Sequence, residues 1–289
     1  MNNPSSEKTH VQTLKEQLQE ALYLDLDEYG LDEPEDGEFT SSFLGMRIRS
    51  AFQPIYNSAE GELFGHEALL RPSLGSAQEI EPEFAFGFAD QSGRLVKFDR
   101  ICRTLHLLNF RQIYAESGLL FLNVHPQLLL SVNAHGKVFE RILHANSIPT
   151  DRVVIEINES VITEDNQLKD AVENYRERHY QIAIDHFADD RSSLNRLWKL
   201  LPDFVKLDRK IIQEAEYNPK LRKALPKLIH LIRDFGAQPV IAGIETQKQF
   251  DIALESGSTL LQGYFLGHPV RAKELKPPTV FNPTTPVTD

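Results

Sequence analysis

From residue 119 to residue 263 the chain repeats one pattern, a short apolar run followed by a longer stretch with helical periodicity. The runs are Leu119-Leu120-Phe121-Leu122-Asn123-Val124, Val153-Val154-Ile155-Glu156-Ile157, Gln181-Ile182-Ala183-Ile184-Asp185, Asp203-Phe204-Val205-Lys206-Leu207, Pro239-Val240-Ile241-Ala242 and Thr259-Leu260-Leu261-Gln262-Gly263. Each is too short for a helix, and most are rich in the branched and aromatic side chains of strands buried on both faces. Helical patterns such as Asp165 to Arg178 and Leu221 to Asp234 fill most of the gaps. Upstream, Ala51-Phe52-Gln53-Pro54-Ile55-Tyr56 alternates in polarity and Asn57-Ser58-Ala59-Glu60-Gly61 is rich in turn formers. Gly65-His66-Glu67-Ala68-Leu69-Leu70-Arg71-Pro72 then resumes the apolar pattern. This reads as a β-hairpin whose second strand delivers Glu67 and Arg71 to a site. Helices are expected over 84–88 and 96–113, between the hairpin and the first repeat. With the hairpin the strands number eight. Repeated βα units in that number predict an α/β fold, a closed (β/α)8 TIM-like barrel.

The repeated strands stop at or beside polar residues: Asn123, Glu156, Asp185, Lys206 and Gln262. Steps of 33, 29 and 21 residues separate the first four, the lengths of successive βα units. In a parallel barrel such residues converge on the C-terminal face, where active sites form, and Glu67 joins them from the hairpin. Three carboxylates and an amide oxygen brought together repel one another unless a cation sits among them. Hard oxygen donors of this kind suit Mg²⁺ or Mn²⁺. Lys206 adds a fixed positive charge for a phosphate or a metal-bound water.

The 289 residues suit one large α/β domain, placed at residues 41–275, with extensions on both sides. In residues 1–40, Val11, Leu14, Leu18, Ala21 and Leu22 fit a short amphipathic helix, packed on its own domain or on a partner. Residues 24–38 carry eight acids and no base, which predicts a solvated acidic linker. Residues 276–289 are rich in Pro and Thr and read as a tail. The formal net charge is −11 and there is no long basic run, which argues against nucleic acid as a partner. A small anionic ligand held by a few local cations remains compatible. Cys102 is the only cysteine, so no internal disulfide forms and the reducing cytoplasm is the expected compartment. Neither a signal peptide nor a membrane span is expected.

The Phe52-Gln53-Pro54-Ile55 and Gly65-His66-Glu67-Ala68-Leu69-Leu70-Arg71 runs are similar to the opening motifs of the EAL family, bacterial enzymes and receptors of cyclic di-GMP. The resemblance continues through later motifs in the same order over roughly residues 48–272. It implies the same barrel with one strand antiparallel. It also implies metal ligands at Glu67, Asn123, Glu156 and Asp185, and a place for His186 beside a second cation. Lys206 would orient the attacking water. Gln53, Leu69, Arg71 and Asp208 would contact the nucleotide, Gln262 would support the site, and Glu159 would anchor the loop after Asp185. The family reaction is metal-assisted hydrolysis of one phosphodiester of cyclic di-GMP to linear pGpG. The implied cofactor is Mg or Mn if a metal is retained, and none otherwise. The implied partners are cyclic di-GMP, an unidentified effector protein and, through the family's dimer contact, a second copy.

Three departures from the family pattern bear on activity. The family has two consecutive aspartates where this chain has Asp185-His186, and imidazole is a poor ligand for Mg²⁺. The family loop Phe-Gly-Thr/Ala-Gly-Tyr-Ser-Ser is here Phe187-Ala188-Asp189-Asp190-Arg191-Ser192-Ser193, so positive-φ conformations there become costly. The family's Ala-Glu-Gly-Val-Glu-Thr corresponds to Ile241-Ala242-Gly243-Ile244-Glu245-Thr246, which puts Ala242 where the family has the glutamate proposed as base. Losing a positioned base costs about 10² to 10⁴ in rate. The reading is a degenerate EAL domain that binds cyclic di-GMP with little or no hydrolysis. The alternatives are an active phosphodiesterase repaired by a nearby acid such as Asp189 or Asp190, and a protein-interaction module that no longer binds nucleotide.

Overall fold

The structure, a computed structural model, describes residues 30–32, 38–75, 78–113, 118–131, 136–158, 165–188 and 194–275. The expected helix at 11–22, the loop-anchor Glu159 and the tail at 276–289 lie outside these residues. In chain order the strands and helices are β1 (Leu31–Asp32), β2 (Thr40–Phe43), β3 (Met46–Asn57), β4 (Glu62–Leu74), β5 (Gln78–Glu79), α1 (Pro82–Gln91), α2 (Leu95–Ile113), β6 (Leu119–Asn123), α3 (Pro126–Ser131) and α4 (Lys137–Ala145). There follow β7 (Val153–Asn158), α5 (Asp165–Arg176), β8 (Gln181–Phe187), α6 (Leu194–Leu200), β9 (Phe204–Leu207), α7 (Arg209–Tyr217), α8 (Pro219–Asp234), β10 (Gln238–Ile241), α9 (Gln247–Glu255) and β11 (Leu260–Leu261).

The sheet runs β3-β11-β10-β9-β8-β7-β6-β4, and the pairing of β3 with β4 closes it into an eight-stranded barrel. β4 and β6 to β11 are mutually parallel, and β3 is antiparallel to both its neighbours. The TIM-like barrel with one antiparallel strand is therefore the observed fold. Its interior is plugged by one side chain from each of seven strands: Ile55, Phe121, Val154, Ala183, Phe204, Val240 and Leu260, with Phe64 packed against them from β4. Phe121 and Phe204 meet edge to face with centroids 5.3 Å apart. A second, larger core fills the space between barrel and helices.

Side chains return to the barrel interior every second residue. Two positions beyond the plug stand Gln53, Asn123, Glu156, Asp185, Lys206 and Gln262. A polar layer thus lies directly on an apolar one at the mouth of the barrel. On β10 the same step from Val240 leads to Ala242.

The hairpin strands β3 and β4 have 12 and 13 residues and outrun the barrel. β6 pairs β4 only along Gly65–Ala68, so Leu69–Leu74 and the facing half of β3 project beyond the mouth. β2 and β5 cover the two edges of this overhang. Of the expected acidic linker at 24–38 only residues 30–32 and 38 are described, and at Leu31 and Glu38 the chain is buried rather than solvated. Leu31 and Asp32 pair with β2, and Glu38 is fully buried against the Arg271 guanidinium. Leu31 is apolar and buries itself on the sheet, and a buried carboxylate is tolerated only with such a partner. Asn109 holds the neighbouring Phe39 backbone at both its N–H (2.8 Å) and its carbonyl (2.9 Å).

Gly263 follows β11 at the point where the chain crosses the turn after β10. A Cβ there would stand 2.1 Å from the Ile244 carbonyl oxygen and 2.3 Å from its nitrogen, both backbone atoms with no room to yield. Gly263→Ala is expected to lower unfolding free energy by about 3 kcal/mol, measured from the urea midpoint. An unchanged midpoint would show that this crossing is looser than described.

Candidate functional site

At the mouth, Lys206 stands at the centre of the polar layer. Its Nζ is 2.8 Å from Glu67 Oε2, 2.6 Å from Glu156 Oε1 and 3.9 Å from Asp185 Oδ1. Gln262 Nε2 donates to Glu67 Oε2 at 2.8 Å. Asn123 Nδ2 donates to Glu67 Oε1 at 2.9 Å and to Glu156 Oε2 at 3.1 Å. The strands place these groups: Glu67 is in register with Phe121, Asn123 with Glu156, and Val240 with Lys206. Asn123 and Glu156 are thus level across β6 and β7. Glu67 and Lys206 are each paired with a plug residue and meet the others through the tilt of the strands and the reach of their side chains.

One ammonium faces three carboxylates, and their burial sorts them. Burial pushes Glu67 upward, but the charge of Lys206 and the hydrogen bonds from Lys206 and Gln262 outweigh it, so this carboxyl sits below its ordinary value. Asp185 also resists burial. Lys206 and a hydrogen bond from His186 bring it to about 2. Glu156, fully buried beneath them, is pushed well up by burial and by the charge of Glu67. Burial opposes the charge on Lys206, yet Asp185, Glu156 and Glu67 hold it well above its ordinary value. The sequence reading put a cation among the carboxylates; in the structure the Lys206 ammonium itself lies there.

A cavity of about 480 Å³ opens over this layer. Gln53, Glu67, Asp185, His186, Lys206 and Gln262 line it, and so do Asp208 and Ala242. Gln53 donates to the Gly267 carbonyl at 3.2 Å. Asp208 caps α7, accepting from the Lys210 N–H at 2.9 Å. His186 leaves the strand at a register shift of β8 against β9 with φ +55. Its ring turns back so that Nδ1 is 2.9 Å from Asp185 Oδ2, and this bond raises its pKa. Ala188, where the family has glycine, has φ +67, so the conformation expected to be costly is kept. Leu69 and Arg71 are not among the lining residues. The Arg71 guanidinium bonds the Leu70 carbonyl at 2.9 Å on the overhang, which separates it from Glu67. The sequence reading missed Arg209, Lys210 and Tyr264, which also line the cavity. Their positions directly after β9 and β11, at strand ends of a barrel, were the available signal.

The EAL domain family model matches residues 38–269. The chain belongs to the EAL family. The probable cyclic di-GMP phosphodiesterase PdeB of Escherichia coli K12 is 26% identical over 222 residues, 74% of this chain and 41% of PdeB. The chain therefore spans less than half the length of that curated relative. A standalone EAL protein from Vibrio cholerae O395, solved with cyclic di-GMP bound, is 25% identical, with a TM-score of 0.67 over 80% of this chain and 95% of its own. BlrP1 of Klebsiella pneumoniae, solved as a manganese and cyclic di-GMP complex, shares the fold with a TM-score of 0.71 at 23% identity, over 78% of this chain and 56% of its own.

The EAL family is metal-dependent, and the polar layer fits a cation in donor type. Glu67, Asn123, Glu156 and Asp185 offer only hard oxygens, and their negative charge exceeds what one lysine neutralises. Among the described residues, though, no three His, Cys, Asp or Glu side chains already surround a common metal point. Lys206 holds the carboxylates in the meantime. Lys206→Met would leave them repelling one another, so at pH 7 it should cost about 3–5 kcal/mol of stability. The cost should shrink as pH falls and the carboxylates protonate. In the wild type Asp185 behaves oppositely: its depressed pKa contributes stability above about pH 4 that is lost as pH falls toward 2. Urea unfolding of both proteins between pH 7 and pH 2 checks this; a variant deficit independent of pH would contradict it.

Proposed function

We propose that this EAL domain binds cyclic di-GMP, hydrolyses it little or not at all, and passes the signal to a partner protein as a receptor. The observation that carries the reading is the methyl group of Ala242. Each other strand end at this level presents a polar group, and Ala242 presents none to the cavity it lines. Three of the remaining acids on the wall have other occupations. Glu67 and Asp185 are drawn to Lys206, and Asp208 caps α7. Glu245 also lines the cavity, exposed and three residues past Ala242. Among the described residues, which do not include Asp189 and Asp190, the strand-end place of the base is therefore without a carboxylate to take a proton from a water attacking phosphorus.

Glu67, Asn123, Glu156 and Asp185 would hold one Mg²⁺ or Mn²⁺. A bound cation would supply charge neutralisation at a phosphodiester. His186 is committed to Asp185 and half exposed, so a second cation would have a weaker set of donors. Gln53, Gln262 and Lys206 line the cavity and would orient a nucleotide there, and cationic Arg209 and Lys210 add positive charge to the wall. The rival reading, a working phosphodiesterase, draws on the retained Glu67, Asn123, Glu156, Asp185 and Lys206.

Repair tests the proposal. His186→Asp would add a hard anionic ligand, and Ala242→Glu would return a carboxylate to the empty place in the polar layer. Each alone should do little, because a metal pair and its base act as a unit. The double variant should release more pGpG than the two single variants together, and only with Mg²⁺ or Mn²⁺. Ala188 and the loop after it limit the gain. A folded double variant no more active than wild type would show that Ala242 is not the seat of the defect. Vigorous pGpG release by the wild type would establish the rival. Arg71→Ala, removing a bidentate donor from the edge of the site, should weaken cyclic di-GMP binding by about 1.5–3 kcal/mol in calorimetry. Unchanged affinity would mean that the nucleotide does not reach the overhang.

A further inference from the structure

The overhang carries arginines beyond the one expected from the family pattern. Arg49 stands directly opposite Arg71 across the hairpin, and Arg47 lies two residues further out on the same face. This face continues that of Gln53 and Glu67, which are opposite each other at the cavity wall. It becomes more open outward: Gln53 and Ala51 are buried, Arg49 and Arg71 half-buried, Arg47 exposed. A fourth guanidinium comes from the chain after β11. Val270 bridges Phe52 in antiparallel sense, which brings Arg271 alongside β3 close to Arg49.

Like charges directly opposite on a sheet repel, and among the described residues this arrangement carries little compensation. Glu38 is taken by Arg271. Glu79 lies on β5, opposite Ser73 and so on the same rung as Arg47. Glu274 accepts the Arg271 backbone N–H. Among the described residues, Arg71 bonds the Leu70 carbonyl and Arg49 Nε is buried without a hydrogen-bond partner. Burial and the charges of Arg47 and Arg271 lower the pKa of Arg49, which registers the same crowding of positive charge. The hairpin thus keeps guanidinium groups on two rungs about 7 Å apart. The inner rung is about 13 Å from Glu67 along β4.

We propose that Arg47, Arg49 and Arg71 form an anion subsite at the rim of the cavity, which takes phosphoryl groups of a nucleotide reaching out from it. Guanidinium forks match phosphoryl oxygens in charge and in planar, two-point geometry. One phosphate held between the rungs would replace the repulsion between arginines by attraction. The identity of the nucleotide rests on the cyclic di-GMP reading above; the subsite itself does not.

Pyrophosphate is the probe that separates the two. Titrated into the wild-type chain, it should move the Arg47, Arg49 and Arg71 Nε–Hε cross-peaks in a heteronuclear NMR spectrum to a common saturation. Its affinity should fall steeply with added salt. In the Arg47→Gln/Arg49→Gln variant, pyrophosphate affinity should drop tenfold or more, and cyclic di-GMP affinity likewise. Arg47→Lys/Arg49→Lys should recover part of it, since charge returns without the fork. No saturable shift of these three cross-peaks in the wild type would overturn the subsite, and that reading needs no variant to fold. Full cyclic di-GMP affinity in the glutamine variant would overturn its place in the nucleotide footprint. If pyrophosphate binds as described and cyclic di-GMP does not bind at all, the subsite stands and the nucleotide reading falls.

Discussion

A barrel strand returns its side chain to the interior every second residue, and in this chain that period decides where the chemistry stands. The plug of Phe121, Phe204 and their neighbours is apolar and closely packed, so the strands cannot slide without exposing it or opening voids. Once the plug is fixed, the next inward position of each strand is fixed too. Asn123, Glu156, Asp185, Lys206, Gln53 and Gln262 reach one level with no further device. Their mutual repulsion is then held by one ammonium. Lys206 can sit fully buried because it has carboxylate partners, and the carboxylates can stay close because they have Lys206. Glu156, deepest in the layer, shows that the balance is incomplete.

The same period shows what Ala242 means. From the sequence, its place followed from spacing against Gln262 and Lys206 and from likeness to the family motif. In the structure it follows from Val240, whose neighbour two positions on must face the mouth. The backbone around it keeps its special conformation: Gly243 has φ +76, and a Cβ there would come within 2.3 Å of the Arg209 Cβ. The turn that would present a carboxylate is intact, and the carboxylate is missing. At β8 the reverse holds. His186 and Ala188 accept positive φ without glycine, so the chain bears strain there to keep the turn after the strand.

Much of this was legible in the sequence because buried strands are short apolar runs and the polar residue at each end breaks the pattern. Eight barrel strands, their order and the polar cluster were readable on those grounds. The hairpin overhang was not. Its strands look like barrel strands, and only the pairing of β4 with β6 reveals where the barrel stops. Arg71 was therefore expected beside Glu67, whereas the strand carries it past the mouth. Glu38 was hidden in an acidic run, since composition cannot tell a buried carboxylate from a solvated one until its partner, Arg271, is found 233 residues away. Lys206 was expected to serve a ligand, and nothing in the spacing shows that its first duty is to neutralise its neighbours.

The central claim is that the polar layer can hold a cyclic dinucleotide but lacks the base to cut it. Phosphorus-31 NMR of cyclic di-GMP mixed with the wild-type chain and Mg²⁺ or Mn²⁺ over several days reads both halves in one sample. With Mg²⁺, the diester resonances should shift or broaden in proportion to protein. With either metal, no phosphomonoester resonance should grow after the metal is removed for observation. A phosphomonoester signal rising through many turnovers would contradict the account, and unperturbed diester resonances at saturating protein would contradict it from the other side.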